Sequence, residues 1–423
     1  MRRIVRRLRT GLALAGLLRI AHAQQAYTWQ QLRDRFEATN PTLQAARINI
    51  DESRAQEVTA YLRPNPDFTL LTDGIQIAPH EGVWQPFSGT LFTTSGSYLH
   101  ERRHKRELRL ASAQNATKVT ESQYADQERT LLFNLRNAFV QTLQAKAVLQ
   151  LARENLTYYD QVLKLSRERK QAGDIAQVDL DRLELQRVQY ESDVQTAEVN
   201  LRTNKIELLM LLNQRTPVEQ FDISGPFDFP DRIMPLQELR TMALQNRPDL
   251  RAAQQTVEKA NTDYRLAVAN GSTDPTFSAW WSHNPSFSNP YAYDTVGASV
   301  TIPLRIFDRN QGEKLRTRLE IGRSEKLRAA AEAQVYNDVD SAYATVNSNL
   351  ALLRSYKERY LGEAVRVRDT ISYSYEHGGS SLLDFLQAQQ EYRTVRVTYL
   401  NLVGSYLTAA SQLNEAVGKE VLE

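Results

Sequence analysis

Apolar and polar positions alternate along this chain with two different periods, and the longer one dominates. Residues 107–170 contain neither Pro nor Gly and are built mainly from Ala, Leu, Gln, Arg and Glu, which are good helix formers. At about 1.5 Å per residue the segment predicts a rod close to ~100 Å long, too long for one globular core to bury. Segments 181–214, 313–376 and 382–417 continue in kind. In the last, Phe385, Tyr392, Tyr399, Tyr406 and Leu413 recur every seventh residue, and Ala388, Val395, Leu402, Ala409 and Ala416 follow three places on. That is a heptad seam, and large residues facing mostly small ones predict closely packed antiparallel coiled coil. Leu183, Tyr190, Ala197 and Leu211 form a comparable seam earlier, broken by Asn204. Arg187 occupies the other heptad position, where its stem lies along the seam edge and its head reaches water.

The shorter period, of two, occurs in two intervals rich in Pro, Gly, Ser, Thr and aromatics, 64–100 and 272–306. Val296, Ala298, Val300 and Ile302 alternate with Gly297, Ser299 and Thr301; Phe277, Ala279 and Trp281 alternate with Thr276, Ser278 and Ser282. The stretch 284–294 between them reads as an exposed loop. In the first interval Phe68 and Leu70, then residues 91–99, alternate more weakly. Each interval predicts a β-hairpin. Four strands of about ten residues match the height of a transmembrane barrel wall but cannot close one, since small barrels need about eight. Either several chains share a barrel, or two soluble hairpins cap a helical bundle; the alternation fits both.

These elements occur twice. Pro41-Thr42-Leu43-Gln44-Ala45-Ala46 returns 207 places later as Pro248-Asp249-Leu250-Arg251-Ala252-Ala253, and Gly173 and Asp179 return 205 places later as Gly378 and Asp384. A period near 200 exceeds the ~20–50 of solenoids, so it predicts a duplicated half-molecule. Each half reads as helix, hairpin, long helix, turn, long helix. The expected organisation is a signal peptide at 1–23, a first repeat at 24–231 and a second at 232–423.

Composition narrows the compartment. Arg2, Arg3, Arg6, Arg7 and Arg9 precede a short apolar core, and Ala21-His22-Ala23 supplies an A-x-A cleavage site, the pattern of a Sec signal peptide. The chain has no Cys, so neither a disulfide framework nor lipid attachment at an N-terminal Cys is available. No run of about 18 apolar residues predicts a membrane-spanning helix. With 52 Lys and Arg against 50 Asp and Glu, the surface is of mixed sign and gives no reason to expect nucleic-acid binding. Periplasm, exterior and outer-membrane barrel remain.

Catalytic chemistry finds little here. There is no phosphate-binding Gly loop and no nucleophile elbow, and neither a cofactor nor a metal site is expected. His100 and His104 are four apart, but a zinc site needs further ligands. They fit better with Arg102, Arg103, Lys105 and Arg106 as a basic rim near lipid head groups.

The assembled pattern resembles the TolC-like outer-membrane efflux protein family over residues 28–417. The resemblance rests on Asn40-Pro41-x-Leu43 and Arg247-Pro248-Asp249-Leu250 heading the halves, and on Val300-Thr301-Ile302-Pro303-Leu304 with Phe307-Asp308-Arg309-Asn310-Gln311-Gly312 closing the second hairpin. Gly173-Asp174 with Asp179-Leu180, and Gly378-Gly379 with Leu383-Asp384, resemble the helix-to-helix turns. The 303–312 stretch looks most like the cation and heavy-metal efflux branch. One departure stands out: relatives often show Pro and then Gly-Lys-Arg after the first hairpin, whereas this chain runs Tyr98-Leu99-His100-Glu101-Arg102-Arg103.

The resemblance implies a homotrimer with a shared 12-stranded barrel, four strands per protomer, continuing into an α-helical tunnel through the periplasm. It implies a passive exit duct for small solutes or metal cations, with a periplasmic adaptor protein at the helical tips and an inner-membrane transporter supplying energy. The turns then lie at the periplasmic entrance, making Gly173, Asp174, Asp179, Gly378, Gly379 and Asp384 the candidate gate. A threefold carboxylate ring favours cations, while Asp179 and Asp384 also suit helix N-termini. A type I secretion duct for polypeptides, and a soluble periplasmic coiled-coil adaptor or scaffold, are the alternatives.

Overall fold

The computed structural model describes residues 26–230, 232–284 and 293–422; the expected signal peptide and most of the 284–294 loop lie outside them. The first half runs α1 (Trp29–Thr39), α2 (Pro41–Tyr61), β1 (Asp67–Asp73), β2 (Leu91–Leu99), α3 (Lys105–Ala172) and α4 (Gln177–Leu211). The second repeats it as α5 (Leu236–Asn246), α6 (Pro248–Asn270), β3 (Thr276–His283), β4 (Asp294–Thr301), α7 (Gln311–Ser355), α8 (Leu361–Glu376) and α9 (Leu382–Val417).

Three features differ from the sequence expectation. Two helices precede each hairpin where one was expected, because Pro41 and Pro248 force the residue before them out of helical geometry. Asn40 (ψ 117°) and Arg247 (ψ 121°) are extended accordingly, and each Pro then starts the next helix. The rod expected at 313–376 contains a π turn at Tyr356–Tyr360 between α7 and α8. The strands are also shorter than the expected ten, at 7, 9, 8 and 8 residues.

The helices form two tiers joined end to end. Beside the sheet the order is α2–α3–α6–α7; away from it the order is α4–α3–α9–α8. Helix α3 runs through both tiers, and α7 continued by α8 does the same. The α9 seam packs as its heptads require, with Phe385, Ala388, Tyr406, Ala409, Leu413 and Ala416 buried and Tyr392, Val395, Tyr399 and Leu402 half-buried. In α4, Leu183, Tyr190 and Ala197 are buried, and Tyr190 stacks on Tyr159 at 4.5 Å. Arg187 keeps its head at the surface, 2.5 Å from Asp160 and also paired to Glu191.

Each half locks the end of its last helix onto its own X-Pro junction. Asn40 Oδ1 accepts from the Thr42 and Leu43 N–H groups at 2.9 and 3.1 Å, and its Nδ2 donates to the Leu211 carbonyl at 3.5 Å. At the equivalent place Arg247, only 4% exposed, donates to Asp249 at 2.6 Å, Asp338 at 2.8 Å and the Ala416 carbonyl at 3.3 Å. Burial pushes the Asp249 pKa up, but its bonds from Arg247 outweigh this and hold it below the ordinary carboxylate value. A carboxylate depressed in the folded state stabilises fully above its unfolded pKa and loses that contribution as pH falls through the folded one.

Arg247→Ala would leave two carboxylates without their cation, and the expected cost is about 3 kcal/mol near neutral pH. The half-buried Arg240–Asp340 pair, far more accessible than Arg247, serves as comparison and should change less when Arg240 is replaced. Denaturant unfolding in detergent reads both, and the Arg247 deficit should shrink as pH falls into the acid range.

Candidate functional site

Four strands pair antiparallel in the order β1-β2-β3-β4. Because side chains alternate across a strand, the register decides which residues share a face. It places Leu70, Thr94, Trp281 and Val296 in one row, and Tyr98, Phe277 and Val300 in another on the same side. Phe68, Phe92, Ala279 and Ala298 join them, so one face is predominantly apolar across all four strands. Among the described residues that face is largely exposed, Val296 by 83%. The opposite face carries Thr69, Thr93, Ser95, Ser97, Ser278, Ser282, Thr295 and Ser299. Along β3 the hydroxyl-bearing face is the more covered one, and Thr93 and Ser282 hydrogen-bond across it at 3.0 Å. Trp280 also lies on this face, flat over Gly297, where a Cβ would come within 2.3 Å of the indole. Only glycine admits that contact.

At the far end of the helices the two expected turns occur. Gly173 (φ 89°) and Gly378 (φ 78°) adopt the left-handed geometry that ends α3 and α8, which glycine takes without a Cβ penalty. Gly379 donates to the Ser374 carbonyl at 2.7 Å. Asp384 forms a capping box with Ser381 at the start of α9. Asp179 sits in the first turn of α4, where its charge suits the helix dipole, although α4 has no side-chain cap. Asp174 is exposed in its turn.

Contacts that the sequence did not single out tie the two tips together. Arg169 donates to the Tyr375 carbonyl at 3.0 Å and lies 5.4 Å over the Tyr375 ring, which stacks on Phe385 at 4.9 Å. Further up, Arg393 pairs with Asp193 at 2.7 Å, while Gln389 and Tyr158 share the Ser372 hydroxyl at 3.1 Å each. No periodicity marks these partners, since each pair joins different helices.

Of the expected basic rim, Lys105 is buried. It is 4% exposed, with its ammonium 2.6 Å from Asp274 and 2.9 Å from the Ser272 carbonyl. Arg102 donates to the Thr273 carbonyl and hydroxyl. Both therefore fasten the α3 end of the first hairpin to the start of the second, Lys105 from a buried position and Arg102 from an exposed one. Burial raises the Asp274 pKa, but the bonds from Lys105 and Arg102 outweigh it and hold the group below its ordinary value. Arg106 stacks 4.5 Å over Tyr61 and pairs with Glu107, whereas Arg103 is exposed. His100 packs edge-on against Phe277 at 6.4 Å, and no cluster of three or more metal-ligating residues exists among the described residues.

A long helical body carrying a sheet with one apolar and one hydroxyl-bearing face is the architecture of an outer-membrane channel protomer. The outer membrane efflux protein family model matches residues 32–214 and 239–419, and the chain belongs to that family. It is thus an outer-membrane efflux channel, the exit duct of a tripartite system, and its family is one of channels and not of enzymes. The cobalt-zinc-cadmium resistance protein CzcC of Cupriavidus metallidurans is 22% identical over 383 residues, covering 90% of this chain and 87% of CzcC. The pyoverdine export outer membrane protein OpmQ of Pseudomonas aeruginosa is 25% identical over 332 residues, covering 77% of this chain and 69% of OpmQ. The solved structure of CusC has the same fold, with a TM-score of 0.77 at 18% identity over 92% of each chain.

Replacing Ser381 by Ala removes the capping box and should cost about 1 kcal/mol locally. Hydrogen exchange is expected to speed up in the first turn of α9 and remain unchanged in α4.

Proposed function

We propose that three copies of this chain close into one conduit, each giving four strands to a 12-stranded barrel and its helices to a continuous tunnel. The observation that carries this is the set of unpartnered edges. Among the described residues strands β1 and β4 each have one open edge, and lipid cannot satisfy exposed backbone groups. The helical edges are apolar too. In α4, Val178, Leu185, Val199 and Ile206 fall on one seven-residue repeat, and all are exposed opposite the buried seam. At the other lower edge α8 exposes Val367 and Tyr373; in the upper tier α2 exposes Ile48 and Val58, and α7 exposes Leu315 and Leu319. Different surfaces on the two sides of a protomer make a head-to-tail contact, which closes as a ring.

In this reading the apolar sheet face meets lipid and the hydroxyl face lines the pore. The repeats meet near residues 231 and 232, and a signal peptide at 1–23 directs export to the outer membrane. The tips face the periplasm, where segments 170–176 and 375–381 receive the adaptor. The duct is passive, and its opening follows from the partner's greater affinity for the open arrangement. The likeness to CzcC supports metal cations as cargo and the likeness to OpmQ an organic one; a hydroxyl-lined wall passes either without holding it. Asp384 is committed to its capping box, so Asp174 is the better candidate for a carboxylate ring at the entrance.

Fractionation followed by sizing in detergent tests the assembly: a membrane-bound species near three times the protomer mass is expected, and a monomer released with the periplasm would overturn it. In planar bilayers, Arg169→Ala with Arg393→Ala should raise conductance severalfold by freeing the tips, while Asp174→Asn should lower cation selectivity. Unchanged currents in both would remove the tips from the gate.

A further inference from the structure

Arg63 and Arg103 stand at the surface of the basic region around the first hairpin. Beside the base of the first hairpin is a cavity of about 290 Å³ lined by Arg63, Tyr98, His100, Arg103 and Arg106, among others. Glu101 and Glu107 also line it, but they and nearby Asp274 are already engaged: Glu101 by Arg109, Glu107 by Arg106 and Asp274 by Lys105. Arg63 and Arg103 are exposed and have no ion pair among the described residues, and the Arg106 Nε is buried without a hydrogen-bond partner. The cavity therefore has surplus positive charge and a donor with nothing to bind.

Its position says what should fill it. Tyr98 belongs to the apolar sheet face, in one row with Phe277 and Val300, and His100 continues that face against the Phe277 ring. The cavity thus opens where the apolar wall ends and the helices begin. The β4–α7 link leaves the same end of the sheet and exposes Leu304, Ile306 and Phe307, the last by 90%. Within that link the Arg305 Nε is likewise buried and unpartnered. Apolar anchors level with unpaired guanidinium groups are the pattern of a membrane interface.

We propose that the Arg63–Arg103–Arg106 cavity binds the phosphodiester of an anionic lipid whose acyl chains lie along the Phe277–Val300 wall. The guanidinium groups offer the planar, multiple donors that suit a phosphate, and a headgroup with net negative charge is preferred over a zwitterionic one. Free inorganic phosphate shares the donor chemistry but has no chain to place on the apolar wall. The inference rests on the apolar face meeting lipid, as argued above.

The test is native mass spectrometry of the full-length protein in detergent, with added dioleoylphosphatidylglycerol, dioleoylphosphatidylcholine or inorganic phosphate. The variant is Arg63→Gln with Arg103→Gln, both exposed, and its control is Arg318→Gln with Arg328→Gln on the outside of α7. Phosphatidylglycerol should be retained at least about fivefold better than phosphatidylcholine, an effect on the order of one arginine's attraction to an anionic surface. The paired variant should abolish that preference and the control should keep it. Equal retention of the two lipids, or a preference that survives in the variant, would overturn the site. Displacement of the lipid by millimolar inorganic phosphate would overturn the lipid assignment and leave a free-anion site. A chain that is monomeric and soluble without detergent would instead sink the channel reading itself, so the two failures are distinguishable.

Discussion

A sheet that borders lipid cannot end in open edges, because hydrocarbon offers no partner for a free N–H or C=O. Among the described residues the sheet ends at β1 and β4 with no further strand paired to either, and the helices below continue the problem as exposed apolar seams on both sides. One constraint therefore acts along the whole molecule: whatever completes the sheet must also cover α4 and α8. The proposed ring of identical protomers would do both with one contact, and the continuity of α3 from one tier to the other would keep the two closures in step.

Duplication supplies the architecture, and local departures from it distinguish the halves. Asn40 and Arg247 occupy equivalent junctions and bind equivalent helix ends, yet one is a neutral cap and the other a buried cation shared by two carboxylates. The junctions between sheet and long helix diverge further: the first is basic and pinned by Lys105 to Asp274, the second apolar at Leu304, Ile306 and Phe307. The π turn before α8 has no counterpart in α3, and it sets Tyr356 edge-on to Tyr360 at 5.3 Å. The tips are held by an apolar cluster that includes Leu163, Leu180, Tyr375 and Phe385, with the Arg169–Tyr375 contact beside it.

Much of this was legible in the residues. The heptads of 382–417 specify a seam because a helix has few ways to bury a residue every seventh place, and α9 spans those residues in the structure. Gly173 and Gly378 marked both turns, since left-handed geometry there favours glycine. The helix breaks at Pro41 and Pro248 were available in principle, for Pro restricts its predecessor wherever it occurs, but the continuous helical composition around them masked the signal.

By itself the sequence determined the local elements, their repetition and the two-faced character of the strands, because propensity and periodicity act between near neighbours in the chain. Tertiary structure alone decided that most of the large apolar residues of four strands share one face, since that depends on register between segments up to 191 places apart. It also decided that Lys105 is buried on Asp274 while Arg103 stays exposed, a difference no reading of the run 102–106 contains. A charge becomes a rim or a rivet according to whether a carboxylate from another segment reaches it, and only the packing of the two hairpins against each other fixes that.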